Sequence, residues 1–437
     1  MKKVTTRSYA AIIVAALILV GLGVYLVRLA VDGGDWASFY ANDSVYKNGV
    51  LNCGSVTDRN GVFLAQSSAD GCLYADSEAV RTACLHAVGD LDGNIGTGAL
   101  RVFRSRLIGY SFLTGTTTGG GAVELSIDSS LNVTAYNALA GRRGAVLVSN
   151  YKTGEILCMV SSPSYDPTVG FDESDSRYEG AYINRCLSSA IVPGSIFKIV
   201  TLATALENDS SLFERSFYCG GSVEIGGRTV NCTGQHGWQT VGEAFANSCN
   251  CAFAELSVSL GGDRIADYAA RYGLTESHDL NGIETKAGSV VSGGSDEASV
   301  AWEGIGQYED LVCPYSMLRL VGAIANGGEC VEPTLLAGGR SGSTRLVRSD
   351  TAAQLSSMMS FNVSHGYGAD WNFPGLSLAA KTGTAELDNG TSHAWFAGFV
   401  TDPDHPYAFV VLVENAGNGL SNAGPVANAV LQQAVFG

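Results

Sequence analysis

Positive charge is scarce in this sequence, and Lys and Arg do not cluster beyond the N-terminus. The 437 residues contain 26 Lys+Arg against 42 Asp+Glu, which gives a formal net charge of −16. An acidic chain without a basic patch lacks the electrostatic footprint of nucleic-acid binders, so we expect no nucleic-acid partner. Charged residues make up only 16% of the chain and hydrophobic residues 46%. That composition is typical of a folded protein and excludes a largely disordered one.

A C-x-x-C pair is also missing, although the chain has 11 cysteines. Cys219 and Cys232 flank a predicted hairpin and are the best candidates for a disulfide. A zinc site built from Cys219, Cys232 and His236 is the alternative, but the missing C-x-x-C pair favours the disulfide. The number of cysteines is odd, and we predict that most of the others are free thiols. We therefore expect no bound metal and no cofactor.

The N-terminal segment contains one long apolar run. Residues 9–31 hold a single charged residue, Arg28, and follow Lys2, Lys3 and Arg7. About 20 apolar residues span a bilayer, whereas the core of a cleaved signal peptide needs only ~7–15. The run length favours an uncleaved single-pass anchor over a signal peptide. The positive-inside rule places residues 1–8 in the cytoplasm and the rest of the chain, beyond the run, outside the cell.

Composition divides the remaining chain into two parts. Residues 32–118 carry short strand-like runs separated by turns, and they predict a juxtamembrane segment and a small β-rich pedestal that resembles a dimerisation module. The Thr- and Gly-rich stretch 114–121 is the predicted linker, and residues 119–437 are the predicted main domain. In that domain, hairpins precede and follow a helical block. This order predicts an α+β fold in which one antiparallel sheet is flanked by helices.

One short stretch of the main domain combines the parts of a nucleophilic site. The turn Pro193-Gly194 delivers Ser195 to the first turn of a helix rich in apolar residues. Ser195 and Lys198 are three residues apart, so their side chains share one helical face. A buried lysine can lose its proton and activate a serine hydroxyl, and N–H groups at a helix start can stabilise an oxyanion. The pattern predicts serine acyl transfer without a histidine.

Serine–lysine acyltransferases need two further elements, and both occur downstream. Ser248-Cys249-Asn250 lies in a small-residue stretch, 244–255, that we predict to be helical. There Ser248 can relay a proton and Asn250 can hold a substrate carbonyl. Lys381-Thr382-Gly383-Thr384 follows a strand-like run, and its amine and hydroxyls suit a carboxylate. Gly383 lets the strand approach a ligand closely.

Each motif also occurs where the chemistry is implausible. The S-x-x-K spacing recurs at 44–47 and 149–152, K-T-G recurs at 152–154, and S-x-N recurs at 130–132 and 360–362. The 149–154 segment is a predicted hairpin turn, which cannot bury a lysine. Ser195 is therefore the preferred nucleophile.

In this order, the three motifs resemble those of the class B penicillin-binding proteins, the monofunctional peptidoglycan transpeptidases anchored by one N-terminal helix. Similar landmarks are the sequences Pro-Ser-Tyr-Asp-Pro at 163–167, Ala-Asn-Gly-Gly at 325–328 and His-Ala-Trp-Phe-Ala-Gly-Phe at 393–399. The stretch 85–90 resembles a Gram-positive, PbpA-like branch. The resemblance implies the transpeptidase fold shared by penicillin-binding proteins and serine β-lactamases.

The resemblance also implies roles for the first two motifs. Ser195 would attack the penultimate D-Ala carbonyl of a stem peptide and expel the terminal D-Ala. Lys198 would act as the base, Ser248 would relay the proton toward the leaving amine, and Asn250 would position the acyl chain. The backbone N–H groups of Ser195 and Thr384 would form the oxyanion hole.

For the third motif, the resemblance implies a carboxylate clamp. Lys381 would contribute positive charge, and Thr382 and Thr384 would hold the carboxylate. β-Lactams would acylate the same serine, and a membrane-embedded SEDS-family glycan polymerase would be the partner. Two alternatives stay open: a D,D-carboxypeptidase or β-lactamase-type hydrolase that uses water as the acceptor, and a non-catalytic scaffold of the cell-wall machinery.

Overall fold

The structure is a computed structural model that describes residues 2–39, 46–47, 50–51, 54–68, 71–116, 120–292, 294, 296–339 and 341–437. Ser44, Cys53 and residues 117–119 of the predicted linker lie outside this set. The chain divides into two compact units. The first comprises Met1–Thr57, Phe63–Ala75 and Val88–Val123, and the second comprises Asp58–Val62, Asp76–Ala87 and Glu124–Gly437. The predicted domain boundary after residue 118 stays a prediction.

Helices and strands are numbered in chain order. The α-helices are α1 (Lys2–Ala37), α2 (Glu78–Ala83), α3 (Leu85–Val88), α4 (Ala99–Val102), α5 (Arg104–Leu107), α6 (Ser129–Leu139), α7 (Lys198–Asn208), α8 (Val241–Ala246), α9 (Asn250–Leu260), α10 (Gly262–Arg271), α11 (Glu297–Glu303), α12 (Pro314–Ala325), α13 (Ser349–Phe361), α14 (Ala369–Asn372) and α15 (Gly419–Phe436). The strands are β1 (Tyr46–Lys47), β2 (Val50–Leu51), β3 (Ser55–Thr57), β4 (Phe63–Ser68), β5 (Gly71–Tyr74), β6 (Ala122–Glu124), β7 (Gly144–Asn150), β8 (Ile156–Ser162), β9 (Phe217–Cys219), β10 (Ser222–Ile225), β11 (Arg228–Asn231), β12 (Gly237–Gln239), β13 (Asp279–Leu280), β14 (Ile283–Glu284), β15 (Glu329–Val331), β16 (Ser343–Arg345), β17 (Leu378–Glu386), β18 (Ser392–Val400) and β19 (Tyr407–Val413).

The first unit begins with the long helix α1. Its 36 residues correspond to about 54 Å, which exceeds the ~30 Å hydrocarbon core of a bilayer. Its apolar side chains are exposed, and residues 4–37 are long and apolar enough to cross a membrane. The helix is a single-pass anchor candidate, and it contains the predicted span 9–31.

The rest of the first unit is β-rich, as predicted. Four strands form a sheet in the order β5-β4-β3-β6. Val56, Leu64 and Ala65 are buried within this unit, together with Leu107 from the short helix α5. The sheet therefore has a small apolar core of its own.

The second unit is built on a five-stranded antiparallel sheet in the order β17-β18-β19-β7-β8. This order puts β17 at one edge. Its central strands are buried along nearly their whole length, which is expected for a sheet covered on both faces. The predicted hairpin of β7 and β8 is confirmed.

Helices cover both faces of this sheet. Side chains on one face of the sheet, such as those of Val146, Phe396 and Val411, form a core with Leu131 of α6 and Val430 of α15. The buried helix α12 packs against β7, β18 and β19. The α+β architecture of one antiparallel sheet flanked by helices is confirmed.

One local expectation was wrong. The stretch 244–255, predicted to be helical, is divided between two helices, α8 and α9, which are separated at residues 247–249. Helix α6 is capped by Asp128, because the Asp128 carboxylate accepts hydrogen bonds from the N–H groups of Ser130 and Leu131.

The predicted Cys219–Cys232 disulfide is also wrong. The hairpin between them is present as β10 and β11, but both cysteines are free thiols, like every other cysteine among the described residues. The Cys232 sulfur instead lies 3.8 Å from the Cys249 sulfur and 3.6 Å from His236 Nδ1.

Candidate active site

Ser195 lies in a single 3₁₀ turn, Gly194–Phe197, that leads directly into α7. Gly194 has φ +55°, a backbone conformation that favours glycine. A Cβ at this position would lie 2.6 Å from the Thr384 carbonyl oxygen. Glycine is therefore required where the Ser195 turn meets the edge strand β17.

Lys198 is the first residue of α7, and its side chain is fully buried. Its Nζ donates to Ser195 Oγ at 3.1 Å, to the Ser248 carbonyl oxygen at 2.7 Å and to Asn250 Oδ1 at 2.7 Å. Burial lowers the pKa of Lys198 to about 8, because the charged amine is poorly solvated there. About one tenth of this amine is therefore neutral at pH 7, and this neutral form can accept the Ser195 proton.

Ser248 lies at the break between α8 and α9, with φ +51°. Its hydroxyl is placed between two lysines, 3.3 Å from Lys198 Nζ and 2.9 Å from Lys381 Nζ. Its carbonyl oxygen accepts a hydrogen bond from Lys198 Nζ rather than from a backbone N–H of a continuous helix. The break therefore presents both polar groups of Ser248 to the site.

Asn250 begins α9, and its amide has a partner at each end. Oδ1 accepts from Lys198, and Nδ2 donates to the Asn231 carbonyl oxygen at 2.8 Å. These bonds fix the Asn250 amide beside the Lys198 amine.

Lys381 lies inside β17, and its side chain is fully buried. Its Nζ donates to Ser248 Oγ and, at 3.0 Å, to the Thr382 carbonyl oxygen. Burial, and then the positive charge of Lys198, lower the pKa of Lys381 well below its usual range. The acceptors described here for the Lys198 amine and for the Lys381 amine are all uncharged. An anion that binds in the site would therefore stabilise the charged form of each lysine.

The outer edge of β17 can be assigned from its hydrogen bonds. The Ala380 carbonyl accepts from Asn362 Nδ2 at 3.0 Å, and the Thr382 N–H donates to the Tyr367 hydroxyl at 3.1 Å. Backbone groups alternate in direction along a strand, so the Thr384 N–H faces this same edge. That edge meets the Ser195 turn at Gly194.

Gly383 packs against the Ser195 turn. A Cβ there would lie 2.9 Å from the Pro193 carbonyl oxygen and 3.1 Å from Ile196 Cγ2. The sequence predicted that the strand approaches a ligand closely at Gly383. In the structure, the strand makes a close approach at this position to the turn that carries Ser195.

The comparisons with known proteins agree on one family. Residues 144–432 match the family model described as the penicillin binding protein transpeptidase domain. The peptidoglycan D,D-transpeptidase PbpA of Mycobacterium tuberculosis is 30% identical over 386 residues, which cover 77% of this chain and 77% of the relative. PbpA of Mycolicibacterium smegmatis is 30% identical over 390 residues, covering 77% and 75%. The chain belongs to the penicillin-binding protein transpeptidase family.

Solved structures show the same relationship. The D,D-transpeptidase domain of a peptidoglycan glycosyltransferase from Eggerthella lenta superposes with a TM-score of 0.74 at 26% identity, covering 88% of this chain and 98% of that one. Penicillin-binding protein A from M. tuberculosis, solved as a ceftriaxone acyl-enzyme complex, gives a TM-score of 0.75 at 25% identity with the same coverage. The transpeptidase fold predicted from the sequence is confirmed.

All eight site residues predicted from the three family motifs converge on one region of the second unit. A cavity of about 400 Å³ opens there. Its lining residues are Ser195, Asn231, Thr233, Ala246, Asn247, Ser248, Asn250, Trp302, Ile305, Gln307, Gly366, Tyr367, Thr382, Thr384, Glu386, Asn418 and Leu420. The two lysines lie beneath it, buried behind Ser195 and Ser248.

The recurrences of the motifs lie elsewhere and have structural partners. Lys152 is exposed, and its Nζ donates to Asn326 Oδ1. Asn132 accepts from the Met159 N–H, and Asn362 donates to β17. These asparagines support the backbone of the family fold, and Ser44 lies outside the described residues.

Sequence reasoning missed Tyr367. Its buried hydroxyl accepts from both the N–H and, at 3.3 Å, the Oγ1 of Thr382. It follows α13 in a segment with no motif spacing, so no sequence signal singled it out. Its hydroxyl is one of the contacts that hold the outer edge of the K-T-G strand, together with the Asn362 side chain.

Proposed function

We propose that this chain is a serine-type peptidoglycan D,D-transpeptidase that cross-links stem peptides through an acyl-enzyme on Ser195. The observation that carries the proposal is the contact of the buried Lys198 amine with Ser195 Oγ, beside an edge strand that bears Lys381, Thr382 and Thr384. A serine, a desolvated base and a strand edge that lines a cavity are together the parts that acyl transfer on a peptide requires.

In the acylation step, neutral Lys198 removes the Ser195 proton as Oγ attacks the carbonyl carbon of the penultimate D-Ala. The C–N bond to the terminal D-Ala then breaks, and the leaving amine takes up a proton. Ser248 Oγ contacts both lysine amines, so it is placed to pass that proton from Lys198. Free D-Ala departs and the acyl group stays on Ser195.

Two backbone N–H groups stabilise the oxyanion of this step. One is that of Ser195, at the start of its helix, and the other is that of Thr384, on the outer edge of β17. The tight packing of Gly194 on the Thr384 carbonyl brings the two segments together. Donors that are fixed before the reaction need no reorganisation when the charge develops.

The terminal carboxylate of the stem peptide binds at the K-T-G strand. The hydroxyls of Thr382 and Thr384 line the cavity, and Lys381 lies behind them. The field of the carboxylate opposes the lowering of the pKa of this buried amine and so favours its charged form. Asn250 contacts the acyl chain, and Gly383 keeps the strand against the nucleophile's turn.

An amine of a neighbouring stem peptide then attacks the acyl-enzyme, which forms the cross-link and releases Ser195. A β-lactam carries an amide carbonyl and a carboxylate in the same relation as D-Ala-D-Ala, so it acylates the same serine. With water as the acceptor, the same site would act as a carboxypeptidase or a β-lactamase.

Labelling of the full-length protein in detergent with fluorescent penicillin tests this function. Wild type and Ser149→Ala, which alters the other S-x-x-K segment, are expected to form a stable adduct, and Ser195→Ala is expected to form none. A folded wild-type protein that takes no label would contradict the proposal and favour a scaffold role. An adduct that hydrolyses within seconds would favour the hydrolase.

The chain is anchored by α1 with its catalytic part outside the cell. Lys2, Lys3 and Arg7 precede the apolar run, and the positive-inside rule assigns that basic end to the cytoplasm. Intact cells should therefore be labelled at Ser195 by a fluorescent penicillin that does not cross membranes. Labelling that appears only after the cells are permeabilised would contradict this orientation.

The partner implied by the family resemblance is a SEDS-family glycan polymerase in the same membrane. The first unit, with α1 and its small sheet, is the segment of the chain available for such a contact. Co-purification from detergent should survive Ser195→Ala and be lost when α1 is replaced by an unrelated membrane helix. Retention after that replacement would place the contact elsewhere.

A further inference from the structure

A cluster of soft ligands lies directly behind the second catalytic motif. Cys219, Cys232, His236 and Cys249 each offer one ligand atom, and these four atoms all lie within 4.8 Å of one another. Cys249 is the middle residue of the Ser248-Cys249-Asn250 motif, so the cluster touches the catalytic machinery through its own backbone. The acyl-transfer chemistry leaves these four side chains unused.

We propose that Cys219, Cys232, His236 and Cys249 bind one Zn²⁺ ion in a closed tetrahedral site that holds Ser248 and Asn250 in place. This assignment replaces two predictions made from the sequence, the Cys219–Cys232 disulfide and the absence of a bound metal. The set of three thiolates and one imidazole is one of the common structural zinc sites.

The two contacts that the Cys232 sulfur makes within the cluster fit a zinc ion better than a disulfide. With Zn–S bonds of about 2.3 Å and Zn–N bonds of about 2.0–2.1 Å, tetrahedral angles put two sulfurs about 3.8 Å apart and sulfur and nitrogen about 3.5 Å apart. The Cys232 and Cys249 sulfurs are 3.8 Å apart, and the Cys232 sulfur lies 3.6 Å from His236 Nδ1. A disulfide would join only two of the four groups and leave the others packed against it.

The surroundings of the sulfurs suit thiolate ligands. The Asn250 N–H points to the Cys232 sulfur at 3.3 Å, and the Ala252 N–H points to the Cys249 sulfur at 3.5 Å. Cys249 is the N-cap of α9, where a helix favours negative charge. Backbone N–H groups directed at sulfur are the outer contacts that orient and stabilise bound thiolates.

The four ligands come from small elements around the start of α9. Cys219 ends β9, Cys232 follows β11, and His236 precedes β12. These strands form two separate two-stranded sheets, which are marginally stable alone and here pack on α9 and its neighbouring helices. A metal ion would join both sheets to the start of α9 in addition to these contacts.

The link to catalysis is the backbone at Ser248. Its φ of +51° is strained for a residue with a Cβ, and such strain persists only where the surroundings enforce it. Lys198 holds the Ser248 carbonyl on one side. The metal would hold the next residue, Cys249, on the other, and so fix the position of the Ser248 hydroxyl between the two lysines.

Metal analysis of the full-length, tag-free protein tests the proposal. Protein purified under reducing conditions without chelators should carry about one zinc per chain by mass spectrometry of the metal. Cys232→Ser and His236→Ala should lose most of it, and the remote control Cys72→Ser should retain it. Cys251→Ser, which removes a neighbouring thiol outside the set of four, should also retain it.

Cobalt substitution covers the case in which a ligand variant fails to fold. Wild-type protein that has been stripped with a chelator and refilled with Co²⁺ should show thiolate-to-cobalt charge-transfer bands and the strong visible bands of tetrahedral cobalt. Stripping should also slow acylation by fluorescent penicillin about tenfold, and added Zn²⁺ should restore it.

Three results would overturn the assignment. One is a folded, reduced wild-type protein that neither retains zinc nor shows the cobalt bands. Another is a Cys219–Cys232 disulfide in peptide maps of protein isolated unreduced from its own cells. The third is a Cys251→Ser variant that loses the metal as completely as Cys232→Ser, which would refute the assigned ligand set. Acylation that is unchanged after stripping would refute the positioning of Ser248.

Discussion

Two segments of this chain carry the same S-x-x-K spacing in opposite environments. Ser195 and Lys198 lie in a turn and helix that are buried between β17 and α9, and the Lys198 amine contacts Ser195, Ser248 and Asn250. Ser149 and Lys152 lie at the end of β7 and in the turn after it, where the Lys152 amine reaches an asparagine at the surface. Spacing alone thus places two side chains near each other, and burial and neighbouring groups decide whether they can react.

The largest expected effect comes from removing the buried amine. Lys198→Met keeps the volume of the side chain but removes the base, so we expect the rate of acylation by fluorescent penicillin to fall about 10³-fold. Lys152→Met, the same change in the exposed segment, should leave the rate unchanged. Equal rates for Lys198→Met and wild type would show that Lys198 is not the base.

A pair of glycines gives a second test of the same contrast. Gly194 and Gly154 both have positive φ, +55° and +82°, and a Cβ at either would lie within 2.6 Å of a carbonyl oxygen. Each change to alanine should destabilise the fold, by at least about 1–2 kcal/mol from backbone strain. Only Gly194→Ala shifts the Ser195 turn against Thr384. It alone should therefore slow acylation of the folded protein, by about 10²-fold.

Thermal unfolding and single-turnover acylation, measured on the same samples, separate the two effects. A Gly154→Ala variant that loses acylation rate as strongly as Gly194→Ala would break the contrast between the two turns.

The pH dependence should follow the buried amine. Because burial lowers the pKa of Lys198 to about 8, its neutral, basic form grows as the pH rises and dominates above that value. Acylation should therefore accelerate about tenfold between pH 7 and pH 9 and then level off. A stopped-flow pH profile measures this, and a rate that falls over the same range would contradict Lys198 as the base.

The smallest effect is expected behind the K-T-G strand. Tyr367→Phe removes the hydroxyl that accepts two hydrogen bonds from Thr382. A loss of about 1 kcal/mol corresponds to acylation about fivefold slower. The matched control is Thr153→Ala in the other K-T-G, where the hydroxyl only accepts a bond from the Glu155 N–H in an exposed turn. An unchanged rate for Tyr367→Phe would mean that Thr382 is held by other contacts.

The sequence predicts the parts of the site that depend on local pattern. Ser195 at a tight turn, Lys198 on the same face, and the strands around Lys381 could all be predicted, because turn residues and apolar periodicity act within a few positions. The break at Ser248 could not, since residues 244–255 are compatible with an unbroken helix. It arises from tertiary contacts, above all the bond from Lys198 to the Ser248 carbonyl.

Other misses have the same origin. Helix α15 begins at Gly419 and includes Pro425, although proline inside a helix usually kinks or ends it. The first turns of α15 are stabilised by the Asn418 cap and by packing on the sheet. These contacts outweigh the unfavourable effect of a proline inside the helix. Tyr367 likewise depends on residues that are distant in sequence, so it forms no recognisable local motif. Three members of the thiol–imidazole cluster, Cys219, Cys232 and His236, were named from the sequence, and only Cys249 was missed.

Both proposed oxyanion donors, at Ser195 and Thr384, belong to the main chain. Every residue type except proline carries that N–H, so all substitutions at these two positions other than proline leave the donors present. Under β-lactam selection, a bacterial population therefore has few single substitutions that remove an anion-stabilising group, and any substitution at Ser195 also removes the nucleophile. We expect substitutions that reduce drug acylation to accumulate instead at the cavity rim, for example at Trp302 or Asn418, where side chains alone control access.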